Sequence, residues 1–154
     1  MSKFTPSTQW ANYPLSLLRI VAGFLLSLHG LTLLFGFFNA PGHPAKPAAV
    51  FTLIWFAGIL QLVGGSLLVL GLFTRPVAFV LSGHLAFAYF LAHAPKGFWP
   101  NLNGGELAAL YSFVFLYLAF ANSGAFSLDG LIARINRNPS PIVVSDSHNL
   151  GANA

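Results

Sequence analysis

Leu15–Phe38 reads LSLLRIVAGFLLSLHGLTLLFGFF. A helix crosses a hydrocarbon core of about 30 Å in roughly 20 residues. This run has that length and interrupts its apolar side chains with Arg19 and His29 as its only ionisable groups. Three more apolar runs follow, Ala49–Phe73, Pro76–Ala94 and Leu107–Phe126. Only 6% of the 154 residues are charged, and the mean hydropathy is +0.73. That leaves too little polar surface to coat a soluble domain. The expected fold is all-α: an integral membrane four-helix bundle with up–down connectivity, one domain over residues 1–137.

The chain has no cysteine. Thiol exchange, thiolate metal sites and iron–sulfur ligation by its own residues are excluded. No phosphate-cradling glycine loop and no Ser/His/Asp hydrolase pattern is present, and no metal site is expected. The net charge of +4 is read as topology and not as nucleic-acid binding. The first run is about twice the length of a signal core and lacks an A-x-A site after it, so it reads as a retained helix.

Four spans put both ends and the middle turn on one side. That side carries Lys3, Arg19, Arg75, Arg134 and Arg137, against Lys46 and Lys96 opposite. Excess positive charge marks the cytoplasm, so both termini are expected inside, in a multi-pass bacterial inner-membrane protein. Trp10 and Tyr13 suit the inner interface and Trp99 the outer one. Pro41, Gly42, Pro44 and Pro47 break the chain after helix 1, Thr74-Arg75-Pro76 makes a tight turn, and Pro95, Gly97 and Pro100 end helix 3. After Ser127, Leu128, Leu131, Ile132 and Ile135 recur at helical spacing beside Arg134 and Arg137. Residues 128–137 therefore read as a surface helix on anionic lipid, and 138–154 as a disordered tail.

Lipid tails provide no hydrophobic drive between helices, so small residues mark the faces that approach closely. Gly58/Gly65 and Gly64/Gly71 are such faces on helix 2, Arg19, Gly23 and Gly30 with Ser27 beside them form one on helix 1, and Ser82, Gly83 and Ala86 offer one on helix 3.

Polar side chains inside spans cost roughly 2.5–3.5 kcal/mol at a helix centre and default to functional hypotheses. Counting about 1.5 Å per residue from the inner surface places Arg19 at about 6 Å, His84 at about 12 Å and Gln61 at about 18 Å. His29 falls at about 21 Å, His93 at about 26 Å and Glu106 near 30 Å. His29, Gln61, His93 and Glu106 thus gather in the outer half, one per helix. Each has a plain structural alternative: His29 and Gln61 as interhelical hydrogen-bonding groups, Arg19 as an interfacial anchor. Glu106 stands third after Asn103, the spacing of a capping box. His84 and His93 are about half a turn out of phase at 100° per residue, and His93 is the better placed for a polar pocket. Tyr117 lies about three turns below Glu106 and would extend a polar path.

The pieces Leu18-Arg19-Ile20, Gly23, His29-Gly30, Gly58, Gly64-Gly65, Leu70-Gly71-Leu72, Thr74-Arg75, His93, Gly97-Phe98, Asn103-Gly104-Gly105-Glu106-Leu107 and Ser127-Leu128-Asp129-Gly130 together resemble the DoxX family of small bacterial membrane proteins. The resemblance implies kinship with the small subunit of thiosulfate:quinone oxidoreductases, with membrane partners of redox-defence enzymes, and with proteins that accompany maturation of copper-binding peptides. It carries over Arg19, His29, His93 and Glu106. Related sequences often have Glu where this chain has Gln61, so a fixed negative charge is missing there.

The expected function is that of a redox-associated subunit or partner in a quinone-linked oxidoreductase system. His93 and Glu106 would handle protons, and Arg19, His29, Gln61 and Tyr117 would form a polar pocket for a quinone or a similar cofactor. The bilayer, a redox enzyme and further copies of the chain are the expected partners. Two alternatives stay open: a non-catalytic scaffold that recruits a redox or metal-handling enzyme, and a small-molecule permease built as an oligomer.

Overall fold

The computed structural model describes residues 8–38 and 46–137. Every regular element among them is helical: α1 (Thr8–Phe35), α2 (Leu53–Leu70), α3 (Thr74–Ala88), α4 (Pro100–Asn103), α5 (Glu106–Phe120) and α6 (Leu128–Arg137). A π-turn (Tyr89–His93) and a 3-10 turn (Ala94–Lys96) continue α3. Three segments are long and apolar enough to cross a membrane: Trp10–Phe35, Leu53–Leu70 and Thr74–Lys96. The apolar α5 is shorter, at 15 residues. Phenylalanine, leucine and valine side chains cover the exterior of these helices, a surface compatible with contact to lipid.

The helix ends differ from the sequence expectation for local reasons. The first helix begins at Thr8, ahead of Pro14, because a proline near the start of a helix deletes a single N–H. It ends at Phe35, where Gly36 takes a left-handed φ of 69°. The second begins only at Leu53, since Thr52 adopts an extended N-cap conformation and its hydroxyl accepts from the Trp55 N–H at 3.3 Å. It stops at Leu70, because Gly71 is left-handed and passes the chain into a Schellman turn, with Gly71 N–H to Leu68 O and Leu72 N–H to Leu67 O. The fourth apolar run leaves helical geometry at Ala121. The expected breaks at Pro41, Gly42 and Pro44, together with Lys3 and the tail from Asn138, fall outside the described residues.

Glycines let α1 and α2 touch along their backbones. A Cβ at Gly65 would stand 2.6 Å from the Gly23 carbonyl oxygen and 2.5 Å from Ser27 Oγ. One at Gly30 would meet the Leu62 nitrogen at 2.6 Å. The Gly23–Ser27–Gly30 and Gly58–Gly65 faces read from sequence are this seam. On the other side, α3 and α5 are bridged by Ser82 Oγ donating to the Ser112 carbonyl at 2.7 Å, beside a core of Leu68, Ala78, Leu81, Phe115 and Leu118.

One end of the molecule is clasped by polar contacts. The Arg19 guanidinium, 0% exposed, donates to the carbonyls of Leu68 and Val69 at the end of α2, and to those of Ser123 and Phe126 after α5. Arg75 donates to the Ala119 carbonyl at 3.1 Å. Asp129 accepts from the N–H groups of Phe73 and Thr74, each at 2.9 Å, and so caps α3 from the start of α6. Ser127 in turn caps α6 through Gly130 N–H at 3.1 Å. Burial pushes the Asp129 carboxyl up, but these N–H groups with the Ser123 hydroxyl outweigh it and hold the carboxyl below its ordinary value.

Candidate functional site

The membrane-depth reading separated Gln61 from His84, yet the structure joins them. His29 Nδ1 lies 2.6 Å from Gln61 Oε1, and Gln61 Nε2 lies 3.0 Å from His84 Nε2. Gln61 is only 3% exposed, and both ends of its carboxamide are engaged, as a buried amide requires. The Schellman turn ends α2 three residues early and α3 starts two residues early. Gln61 and His84 then stand nearly level, about 14–15 Å from the turn between their helices. Arg19 meets that same turn, and His29 lies about 15 Å further along α1. The relay therefore stands about 15 Å from that turn, measured along the helices.

Two cavities border the relay. One, of about 400 Å³, lies among α1, α2 and α3 and is lined by His29, Gln61, His84 and His93 with Phe56 and Phe87. The other, of about 420 Å³, lies among α1, α3 and α5 and is lined by His29, Gln61 and His93 with Leu26, Leu85 and Tyr111. His29, Gln61 and His93 face both. Apolar walls with a few convergent polar groups are the usual make-up of a small-molecule site.

His93 reaches these cavities because of the π-turn. A regular helix sets it half a turn from His84, and one inserted residue rotates the downstream side chains by about 100°. The turn ends at His93, whose Nδ1 donates to the Asn103 carbonyl at 3.3 Å. Its ring stacks on Tyr89 with centroids 6.4 Å apart.

The remaining sequence candidates stand apart from the relay. The guanidinium of Arg19 is committed to backbone carbonyls at the clasped end. Tyr117 is exposed and lines a separate hollow with Asn12 and Leu15. Glu106 is exposed at the first position of α5. The capping box expected from Asn103 to Glu106 does not form. Asn103 ends α4, its Oδ1 accepts from Gly105 N–H at 2.7 Å, and its Nδ2 donates to Gly97 O at 2.6 Å. Gly105 then starts α5 without a side-chain cap. Sequence reading passed over two residues of the site, His84 and Tyr111. Tyr111 is one and a half turns after Glu106, a phase that faces the cavity where Tyr117 does not. Among the described residues no group of three metal-binding side chains occurs.

The DoxX family profile matches residues 15–94, a segment that holds the whole relay and His93. The chain belongs to the DoxX family. This DoxX protein is also 47% identical over 120 residues to an uncharacterized protein of Haemophilus influenzae, covering 76% of this chain and 89% of that one. No solved structure matches it. Arg19, His29, Gln61, His84 and His93 lie inside the matched DoxX segment, while Glu106, Tyr111 and Tyr117 lie beyond it.

Proposed function

We propose that this DoxX protein crosses a bacterial inner membrane four times with both ends in the cytoplasm, and binds a quinone-type ring beside the relay. It acts there as a subunit or partner of a quinone-linked oxidoreductase system. The observation that carries this reading is the His29–Gln61–His84 relay, centred on the buried Gln61 and bordered by two mostly apolar cavities. A quinone needs apolar walls for its ring and a donor for a carbonyl oxygen, and one imidazole of the relay supplies that donor. Phe56 and Phe87 offer aromatic faces to the ring. His93, with Nδ1 tied to Asn103, keeps Nε2 for a ligand or a proton. Glu106 is a proton-exchange group at the outer end of α5. Arg75, Arg134 and Arg137 sit toward the clasped end and Lys96 toward the opposite end, which favours a cytoplasmic clasp.

The test is titration of a short-chain ubiquinone analogue into the protein in lipid nanodiscs, followed by tryptophan fluorescence. Saturable quenching, weakened by both His29→Ala and Gln61→Ala, supports the site. No quenching, or quenching indifferent to both substitutions, removes it. A scaffold role is favoured by one separate observation. The apolar side chains of α6, Leu131, Ile132 and Ile135, are exposed next to Arg134 and Arg137, a face suited to lipid or to an enzyme partner.

A further inference from the structure

Each imidazole of the relay has one nitrogen on Gln61 and one left over. Those left over are Nε2 of His29 and Nδ1 of His84, and neither has a hydrogen-bond partner among the described residues. In the observed arrangement His29 Nδ1–H donates to Gln61 Oε1, so in the neutral ring Nε2 is an acceptor. Gln61 Nε2–H donates to His84 Nε2, so His84 carries its proton on Nδ1 and offers a donor. The relay thus presents an acceptor on α1 and a donor on α3, and both rings line the cavity of about 400 Å³.

Rotating the carboxamide by half a turn exchanges its oxygen and nitrogen with little change in shape. Gln61 then donates to His29 Nδ1 and accepts from His84 Nε2–H. Each ring loses the proton on one nitrogen and gains one on the other, through water or a ligand hydroxyl, with no change in total charge. His29 now offers a donor and His84 an acceptor. Both arrangements are fully hydrogen-bonded within the relay. No charge pins the amide in either state. The titratable groups facing the two cavities are His29 from α1, His84 and His93 from the α3 segment and Tyr111 from α5, with none from α2 and no carboxylate among the residues that line them.

We infer that Gln61 makes the relay a reversible donor–acceptor pair that accepts the oxidised and the reduced form of a quinone-type ligand about equally well. A ligand oxygen held by one ring finds a donor there in one amide setting when it is a carbonyl, and an acceptor on the same ring in the other setting when it is a hydroxyl. This rests on the quinone-site reading above. An acceptor-only side chain at position 61 would destroy the balance. Gln61→Glu accepts from both rings at once, so neutral His29 Nε2 and His84 Nδ1 both become acceptors, which suits hydroxyls and not carbonyls.

The experiment measures binding of a short-chain benzoquinone and of its hydroquinone to the nanodisc-embedded protein, for wild type and Gln61→Glu. The two wild-type affinities should agree within about threefold, and the substitution should favour the hydroquinone by about tenfold or more, the weight of a hydrogen bond. Binding with a ratio unmoved by Gln61→Glu overturns the amide-switch inference and leaves the quinone site standing. Binding of neither form to wild type overturns both. A ligand-free check needs no variant. In ¹⁵N-histidine NMR at neutral-ring pH, His29 and His84 should share the same tautomer, or exchange together. Opposite, fixed tautomers would overturn the inference.

Discussion

Arg19 and Gln61 are both buried polar residues, and what surrounds each decides its role. Arg19 is surrounded by backbone carbonyls from two chain segments, so it acts as a fastener. Arg19→Lys keeps the charge but loses the planar fork, and cannot serve carbonyls of both α2 and the segment after α5. It should lower thermal stability in detergent by about 2–3 kcal/mol, as expected when charged hydrogen bonds are lost in a buried place. Arg19→Lys as stable as wild type would contradict the fastener reading. Gln61 is surrounded by two imidazoles and two cavities. His84→Ala should weaken ligand binding by about five- to tenfold, the weight of one hydrogen bond, and cost about 1–3 kcal/mol of stability, because it leaves the buried Gln61 Nε2–H without its partner. At this scale the sequence was informative about residue type and weak about partners. His29 and Gln61 stood out as polar groups in apolar runs. Their bond to His84 was hidden because helix ends a few residues off shift the apparent height by about 3–5 Å.

Helix packing tracks small residues closely. The seam of α1 and α2 leaves no room for a Cβ at Gly65, where the obstacles include the Gly23 carbonyl of the opposing backbone. Gly65→Ala should force the helices apart at a cost of about 1–3 kcal/mol. Gly83→Ala, where nothing lies within 4 Å, should be neutral or slightly stabilising, since alanine is the better helix former. Unfolding of both variants in detergent, side by side, checks the contrast. That seam was legible from glycine spacing alone. The π-turn that brings His93 to the cavities was not, because hydrophobic runs carry no mark of an inserted residue. The clasp of α6 on α3 has its own pH dependence. The folded Asp129 carboxyl lies below its unfolded value, so its contribution is fully present above the ordinary carboxylate range and is lost as pH falls through the lowered folded value. Thermal unfolding between neutral and acid pH should show this loss in wild type and less of it in Asp129→Asn.

The whole molecule places a polar relay at the middle of an apolar body, with a fastened end and an end that carries the turns of α4. The absence of cysteine makes sidedness directly measurable. Lys96→Cys in intact cells should react with a membrane-impermeant maleimide, and Arg137→Cys should react only after the membrane is opened. The reverse pattern would invert the assigned orientation. The all-helical, membrane-embedded character was plain from composition and run length. The fourth span was less so, because α5 is shorter than the run that suggested it. The most direct measurement of the central claim is photolabelling of the nanodisc-embedded protein with an azido-benzoquinone, with the adducts mapped by mass spectrometry. Labels should fall on Leu53–Leu60 and Phe87–His93 and should fade in Gln61→Ala; labels spread over the lipid-facing surface, unchanged by that substitution, would contradict a ligand site at the relay.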